Sequence, residues 1–236
     1  MEFINVKFLI DTFFVALSGV PIALLVTCVS LIIAVPLGFL LALTRINEIP
    51  ILKNITKTYV SFVRGTPVII QIFVLYSSIP LILDGIFKKY NIDYAIYDVN
   101  PLWYAYIIFS FNTAAVLSEV FRSALQTVPK GQLEAAQAVG LTTAQAYRRI
   151  IIPQALVAAL PNLCTATINL IKATSLGYAI SLQEITLRAK VAANVGYNYL
   201  EAYMDIFFVY LILCITVEYL FKLSERRLSR YKSVIA

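Results

Sequence analysis

Long apolar runs, separated by short polar and charged segments, dominate the chain. Between Thr12 and Thr44 there is no Asp, Glu, Lys or Arg. At about 1.5 Å per residue, a helix of that length is longer than a hydrocarbon core of roughly 30 Å. The pattern therefore predicts two helices here: an interfacial helix over residues 3–18, and a first span over residues 20–44 that Pro21 opens.

Four further apolar stretches are long enough to cross a membrane, since one span takes roughly 20 residues. They cover residues 66–83, 102–122, 150–176 and 199–222. Residues 177–198 are Ala-rich and moderately polar, and we expect helical pieces there at one membrane face. The predicted fold class is an all-α integral membrane protein with five transmembrane helices plus an N-terminal interfacial helix.

The composition agrees with this prediction. Of the 236 residues, 60% are hydrophobic and 14% are charged, whereas a soluble domain has about 25% charged residues. We therefore expect a single transmembrane domain over residues 1–236, with its core at 20–225. His is absent, which removes the commonest general base and metal ligand, and the three Cys lie in apolar runs without metal-binding spacing. We expect no catalytic residues, no metal and no cofactor bound by this chain.

Basic residues concentrate on one side of the predicted spans. The segment 45–64, the segment 122–149 and the C-terminal tail carry thirteen Lys and Arg residues, and the opposite side carries five. Because cytoplasmic loops are enriched in Lys and Arg, we expect the N-terminus outside and the C-terminus in the cytoplasm. Cytoplasmic loops thus explain the formal charge of +6, and no nucleic acid partner is expected.

Residues 130–149 form a polar segment between two predicted spans. Lys130–Val139 consists mainly of strong helix formers, and Gly140 suits the left-handed position that closes a helix. Thr142 and Gln145 fit a capping box at the start of a second helix. The segment is therefore predicted to form a short helix–turn–helix across one membrane face.

The first of these helices has two interpretations. Leu133, Ala136 and Ala138 would form a small apolar contact surface for a partner protein, with Glu134 as its charged anchor. The alternative is an amphipathic helix that rests on lipid headgroups, which requires Lys and Arg along its polar face. Lys130 is the only basic residue of this helix, and its isolation favours the docking interpretation.

The spacing of this segment resembles the cytoplasmic loop by which the membrane subunits of ABC importers engage their ATPase. That family's pattern is E-A-A, three residues, G, nine residues and then I-x-L-P. The corresponding residues are Glu134, Ala135, Ala136, Gly140 and Pro153, with Ile152 in place of the Leu. The resemblance implies that residues 130–149 dock onto a separate ATPase subunit.

Three further motifs resemble the polar amino acid branch of these permeases. They are Arg64-Gly65-Thr66-Pro67, the Glu119-x-x-Arg122 element and Lys172-Ala173-Thr174-Ser175-Leu176. Two positions depart from the branch: Ser123-Ala124 follows Arg122 where R-G-G is common, and Val116 stands where an aromatic residue is common. These departures bear on local packing and on substrate preference.

Polar residues within the predicted spans are the candidates for a substrate path, because such groups are costly in lipid. The resemblance implies that Lys172 binds a substrate carboxylate and that Thr174 and Ser175 add hydrogen bonds. The alternative is that the Lys172 side chain extends to the lipid headgroups. The other candidates are Gln71, Asn112, Thr113, Asn169, Glu119, Arg122 and Glu184, the last for a substrate amine near the outer face. Buried amides also join helices, and an intrahelical ion pair is the favoured interpretation of Glu119 and Arg122.

The resemblance implies a type I ABC importer permease fold and an assembly of several subunits. These are two ATPases, a second permease that is identical or related, and an extracytoplasmic amino-acid-binding protein, among the lipids of the cytoplasmic membrane. This chain has no G-x-x-x-x-G-K-[ST] motif, so ATP and Mg would bind to the partner ATPase. The implied substrate is a polar L-amino acid, with cystine as the specific candidate.

Two other function classes stay open on the sequence. One is an ion-coupled secondary transporter subunit, for which Asp205 and Glu218 are the intramembrane carboxylates. Its uptake would collapse with an uncoupler and survive ATP depletion. The other is a non-transporting membrane scaffold, in which replacement of Lys172 and Asn112 would leave function intact.

Overall fold

The computed structural model describes residues 4–232, with side chains up to residue 227, and this part of the chain is helical and contains no strand. The α-helices are α1 (Val6–Leu17), α2 (Val20–Ile46), α3 (Leu52–Gly65), α4 (Val68–Lys89), α5 (Pro101–Gln126), α6 (Lys130–Ala138), α7 (Thr143–Ala146), α8 (Ile152–Thr174), α9 (Ile185–Ala193) and α10 (Tyr199–Lys232). Short 3-10 helices cover Ile96–Asp98 and Ser175–Ile180, and a π-helical turn covers Tyr147–Ile151. The predicted helical pieces within residues 177–198 are thereby confirmed.

Five segments of the described chain are long and apolar enough to cross a membrane, which confirms the predicted number. They are Val6–Ile46, Val68–Lys89, Pro101–Gln126, Thr143–Ile180 and Tyr199–Arg227. The predicted ends are less accurate. α4 continues past residue 83, where Lys88 donates to Asp84 one turn earlier at 2.7 Å, and α10 continues past residue 222. Polar helix formers and intrahelical ion pairs extend both helices beyond their apolar stretches.

The described chain divides into two compact units. The first comprises the residues up to Ile32 with Gly65–Asn112 and Asn169–Cys214, and the second comprises Ile33–Arg64, Thr113–Ile168 and the residues from Ile215 onwards. Both units fall within the predicted transmembrane domain, and its description as a single domain stays a prediction.

Two apolar clusters form the core of the first unit. One joins α2, α4 and α5 to residues at and after the end of α8: Val26, Ile72, Tyr104, Ala105, Ile108, Phe109, Leu170, Ile180 and Leu182. The other joins α1, α2, α9 and α10 through mostly small residues: Ala16, Ala23, Ile185, Ala189, Ala193, Ala202 and Val209. Small side chains let helix backbones approach closely, as is common where helices pack in membranes.

A break between α1 and α2 confirms that the first apolar window is split. Phe3, the first residue of the predicted interfacial helix, lies outside the described residues. The Asn5 side chain caps α1 by accepting a hydrogen bond from the Phe8 N–H at 3.0 Å. At the other end, a Cβ on Gly19 would lie 2.4 Å from the backbone nitrogen of Ile185, so only glycine fits where this corner meets α9. The interfacial position of α1 stays a prediction.

The second unit includes most of a helix that the sequence analysis does not predict. The pattern predicts a basic cytoplasmic segment over residues 45–64, and the structure forms α3 within it. Thr56 and Val60 are buried four residues apart, and the Thr56 hydroxyl lies 3.0 Å from the Thr44 hydroxyl of α2. The helix has 14 residues and carries Lys53, Lys57 and Arg64, so a search for apolar stretches of membrane length passes over it.

Glu184 is fully buried at the start of α9, which corrects the prediction that it meets a substrate amine. Its carboxylate accepts hydrogen bonds from the backbone N–H groups of Thr186 (2.8 Å) and Leu187 (2.9 Å) and from the Tyr210 hydroxyl (2.9 Å). The Tyr210 hydroxyl also lies 3.4 Å from that of Thr174, so the network joins α8, α9 and α10. Burial raises the pKa of Glu184 to about 7, although the three donors favour the charged form.

We expect Gly19→Ala to destabilise the folded chain, because the added Cβ would overlap backbone atoms of α9. A loss of about 2 kcal/mol corresponds to a Tm lower by about 4–8 °C for a chain of this size. Gly85→Ala in α4 is the matched control, since a Cβ there meets nothing within 4 Å and Ala favours a helix over Gly. Thermal unfolding in detergent measures both, and an unchanged Tm for Gly19→Ala would contradict the close approach.

The raised pKa of Glu184 predicts a pH-dependent stability. The folded chain binds this proton more tightly than the unfolded chain, whose carboxyl has the ordinary pKa of 4.5. The free energy of unfolding is therefore greatest below that pH and falls as the pH rises through about 7. Glu184→Gln cannot titrate, so we expect a flatter profile of Tm against pH over about pH 5–8.

Glu48→Gln is the control for this profile, because it removes an exposed carboxyl whose side chain is 76% accessible. It should leave the slope of the wild-type profile unchanged. If Glu184→Gln and the wild type lose Tm equally across this range, the buried carboxyl does not carry the pH dependence.

Candidate functional site

The chain between α5 and α8 forms two short helices joined by a sharp turn, as predicted. α6 ends at Ala138, and Gly140 has a φ of +86°, the left-handed conformation that favours glycine. The Gln145 N–H donates to the Thr142 hydroxyl at 3.3 Å, and the Thr142 N–H donates to the Gln145 side chain at 2.9 Å. This reciprocal pair is the predicted capping box. We refer to residues 130–149 as the α6–α7 segment.

The π-helical turn connects α7 to α8 without a loop. The Ile152 N–H donates to the Tyr147 carbonyl, five residues earlier, so this turn holds one residue more than an α-helical turn. Pro153 follows directly and is exposed. Because Pro has no backbone N–H, the continuous helix lacks one hydrogen bond at this position, directly after the π-helical turn. α7 is therefore continuous with the membrane-length helix α8, and α6 precedes it across the turn at Gly140.

The α6–α7 segment exposes a different apolar surface from the predicted one. Ala136 is only 2% exposed, and Leu133 packs against a buried cluster of Ala124, Leu125, Ile151, Ala155 and Ala159. Both residues attach α6 to its own unit, and the predicted contact surface is wrong for the buried Ala136, whereas Leu133 is partly buried. Val139, which the sequence analysis does not single out, is 79% exposed. Eight residues of α6 and its C-terminal end are exposed: Lys130, Gly131, Gln132, Gln137, Glu134, Ala135, Ala138 and Val139. We refer to the last four as the exposed face of α6.

A three-charge cluster in the second unit engages Glu119 and Arg122. One carboxylate oxygen of Glu119 accepts from Arg122 Nη2 at 2.7 Å and from Nε at 3.0 Å, which confirms the intrahelical ion pair. The other oxygen accepts a hydrogen bond from Arg45 at the end of α2. Both oxygens are thus occupied, and the cluster joins α2 to α5. This carboxylate therefore serves mainly to hold the two arginines.

Two of the predicted path amides bind each other in the first unit. Asn112 Nδ2 donates to Gln71 Oε1 at 2.9 Å. Gln71 Nε2 donates in turn to the hydroxyl (2.8 Å) and carbonyl (3.1 Å) oxygens of Thr66. These bonds join α4 to α5 and hold the turn before α4, the role expected of amides that connect helices. Thr113, in the second unit, is 4% exposed.

Asn169 and Lys172 of α8 are exposed in the structure. They lie three residues apart, which places them on one face of the helix. By contrast, the neighbouring hydroxyls bind the helix backbone: Ser175 donates to the Lys172 carbonyl at 2.7 Å, and the buried Thr174 donates to the Ile171 carbonyl at 2.6 Å. At membrane depth an exposed amine and amide require water or a polar partner.

Two residues that the sequence analysis misses complete these clusters. Arg45 occupies the second oxygen of Glu119, and Tyr210 bridges Glu184 and Thr174. Polarity within or beside an apolar span could have flagged both residues, but no sequence spacing identifies their partners. Among the described residues, no group of three or more His, Cys, Asp or Glu could hold a metal ion.

Comparison with known proteins assigns the chain to a family. Residues 34–230 match the family model described as the inner membrane component of binding-protein-dependent transport systems. The probable amino-acid permease protein YxeN of Bacillus subtilis is 36% identical over 230 residues, which cover 98% of each chain. The L-cystine transport system permease protein TcyL of the same organism is 35% identical over 215 residues, covering 91% of this chain and 87% of TcyL.

The fold also matches a solved structure. A chain of an amino acid ABC transporter, whose crystal structure was determined with histidines, gives a TM-score of 0.74 at 28% identity. The match covers 90% of this chain and 94% of that chain. The predicted type I ABC importer permease fold is thereby confirmed. The chain belongs to the inner membrane components of binding-protein-dependent transport systems, as a multi-pass ABC importer permease of the polar amino acid branch.

Proposed function

We propose that this permease moves a polar L-amino acid across the cytoplasmic membrane, driven by ATP hydrolysis on a separate subunit that binds α6. The exposed face of α6 is the observation that carries the proposal. It combines one carboxylate, Glu134, with the small or apolar Ala135, Ala138 and Val139, and Gly140 and the capping box fix the turn that follows it. A rigid, exposed and partly apolar helix end is suited to docking.

The charge of Glu134 predicts the chemistry of the partner surface. Among the side chains described, this carboxylate has no ion-pair partner within the chain. A partner groove with an apolar floor and a Lys or Arg at its edge would complement this face, because charge pairs fix the register of an interface. The proposed occupant is an ABC ATPase, with ATP and Mg bound to that subunit.

The inward side of α6 explains how docking would act on the permease. Leu133 packs against the buried cluster that joins α5 to α8, and Ala136 is buried beside it. Packed cores shift as bodies and do not deform continuously. A movement of the docked ATPase would therefore carry these helices with it. Two ATPases and a second permease, identical or related, would complete an alternating-access importer.

The proposed orientation places the α6–α7 segment in the cytoplasm, where ATP is available. It rests on the excess of Lys and Arg in residues 45–64, in residues 122–149 and after residue 221. Five spans then put the N-terminus outside and the C-terminus in the cytoplasm. An extracytoplasmic binding protein would deliver the amino acid at the opposite face.

Asn169 and Lys172 are the proposed substrate-facing residues, because they are the predicted path residues whose polar ends α8 leaves exposed. The amine of Lys172 would bind a substrate carboxylate, and the amide of Asn169 would accept or donate a hydrogen bond. Cystine is the specific candidate, since the relative TcyL is named as an L-cystine transport system permease protein. The two zwitterionic ends of cystine suit dispersed amide and amine groups better than a single strong fixed charge.

One observation favours the ion-coupled alternative. Asp205 is 1% exposed, and its Oδ2 has no hydrogen-bond partner among the described residues, as in carboxylates that bind a transported ion. Glu218 is instead paired with Lys222 at 2.7 Å. Uptake that collapses with an uncoupler and survives ATP depletion would favour this class over the importer.

We expect Glu134→Lys to abolish binding of the candidate ATPase. The substitution replaces the proposed anchor by a like charge at the partner's basic edge, a cost of about 2–5 kcal/mol or at least a thirtyfold weaker complex. Glu48→Lys is the matched control, since it makes the same charge change on an exposed carboxyl. The measurement is co-purification of the ATPase and amino-acid-stimulated ATP hydrolysis in nanodiscs with the binding protein.

The controls decide between the proposed function and its rivals. Glu48→Lys should retain the ATPase and its stimulation. If wild-type permease captures no ATPase, or if Glu134→Lys hydrolyses ATP with full stimulation, the α6 face is not the docking surface. A panel of amino acids that includes cystine identifies the substrate in the same assay.

We expect Lys172→Gln to weaken transport without releasing the ATPase. Loss of a charge-assisted hydrogen bond of about 1.5–3 kcal/mol corresponds to an apparent affinity for the amino acid about 10–100 times lower. Lys88→Gln is the control, because Lys88 is also an exposed cation outside the second unit and is paired only with Asp84. Uptake into proteoliposomes measures the effect; equal uptake by Lys172→Gln and wild type would favour a scaffold or another path.

A further inference from the structure

A cavity of about 270 Å³ lies between α2, α5 and α8, entirely within the second unit. Its walls include Phe39 of α2, Phe121 of α5 and Ala155 and Leu156 of α8, and every residue that lines it is apolar. The rings of Phe39 and Phe121 meet edge to face, with 5.7 Å between their centres. Leu156 is 42% exposed, so the cavity reaches the surface of the unit.

Water is a poor occupant of this cavity. An ordered water needs two to four polar partners, and cavities lined by hydrocarbon stay dry. An empty cavity is also unfavourable, because its lining atoms lose dispersion contacts on one side. On helices that cross a membrane, the apolar material at the surface is lipid, whose acyl chains match Phe and Leu side chains in polarity. An acyl chain is therefore the natural occupant.

The cavity lies near the ends of its three helices. Leu125, which lines it, is next to the last residue of α5, and Ile152, which also lines it, is the first residue of α8. Phe39 lies about two turns before the end of α2. The ends of membrane-spanning helices meet the headgroup layer. An acyl chain in the cavity would therefore place its headgroup beside the π-helical turn that precedes α8.

Arg148 in that turn supplies the charge that a phosphate would bind. It stands four residues before Ile152, which is slightly more than one turn of an α-helix and slightly less than one turn of a π-helix, so both residues share a face. The Arg148 and Arg149 side chains are exposed, and neither pairs with a carboxylate among the described residues. Guanidinium groups bind phosphate through two parallel hydrogen bonds.

We propose that this cavity binds one acyl chain of an anionic phospholipid whose phosphate is held by Arg148. Arg148 favours a headgroup of net negative charge, because the choline cation of a zwitterionic lipid offsets the attraction of its phosphate, and the apolar walls accept the chain. The site is distinct from the exposed face of α6 and from Asn169 and Lys172. A bound lipid would fill the space between α2, α5 and α8 directly beneath the α6–α7 segment, and it would thereby stiffen the helices to which that segment is attached.

Native mass spectrometry of the full chain tests the proposal. The chain is extracted in mild detergent from bilayers of equal parts phosphatidylglycerol and phosphatidylcholine, and retained lipid is counted. The wild type should retain phosphatidylglycerol about tenfold over phosphatidylcholine. Arg148→Gln should lose that preference, and Lys57→Gln, which removes an equal charge from an exposed position on α3, should keep it. Equal loss in both variants would show diffuse surface charge and overturn the site.

A second measurement does not depend on removing Arg148. A Phe39→Trp variant in a Trp103→Phe background carries a single Trp in the cavity wall, since Trp103 is the only native Trp. Phosphatidylglycerol with brominated acyl chains should quench its fluorescence at about one tenth of the mole fraction that brominated phosphatidylcholine needs. Quenching that is equal for the two lipids, or absent, would overturn the proposal. Protection of the Trp only when a second permease or an ATPase is present would assign the cavity to that protein.

Discussion

Hydrocarbon offers no hydrogen-bond partners, and most of this structure follows from that constraint. The backbone must satisfy its own polar groups, so the five membrane-length segments are helical. Several polar side chains obey the same rule, although Asp205 Oδ2 has no partner among the described residues: Gln71 binds Asn112, and Glu119 binds two arginines. Glu184, at the start of α9, is held by two backbone N–H groups and the Tyr210 hydroxyl. Several residues whose polarity suggests a transport path therefore serve to connect helices, and Asn169 and Lys172 stand out because they are exposed.

The α6–α7 segment is polar, and its turn and helix ends are stabilised by hydrogen bonds between neighbouring residues. Gly140 and the Thr142–Gln145 capping box close one helix and open the next within a few residues. Its inward residues bind it to its own unit, and its outward residues include the exposed Val139 and the carboxylate of Glu134, which has no ion-pair partner among the described side chains. A segment that is fixed to its own unit on one side and exposes apolar and charged groups on the other is typical of a surface that binds another protein.

Features that depend on residues close together in the sequence are predictable from it, and features that depend on distant residues are not. Apolar length is a property of one stretch of chain, so the five spans are predictable. Gly140 and the capping box depend on neighbours within four residues, so they are predictable too. The Arg45–Glu119 pair joins residues 74 positions apart, and the Tyr210–Glu184 bond joins two helices, so no local pattern reveals either. The motif around Ala136 fixes the spacing of its residues along the chain but not which of them face inward. For that reason the predicted contact surface wrongly includes Ala136.

The π-helical turn over Tyr147–Ile151 has a geometric consequence for the whole α6–α7 segment. A π-turn is in effect one residue inserted into an α-helix, and each residue of an α-helix adds a rotation of about 100°. The angular position of Glu134 and Val139 around the axis of α8 therefore depends on the one extra residue in this turn. Loss of one residue there would preserve every hydrogen bond of a regular helix and yet point the α6 face in another direction.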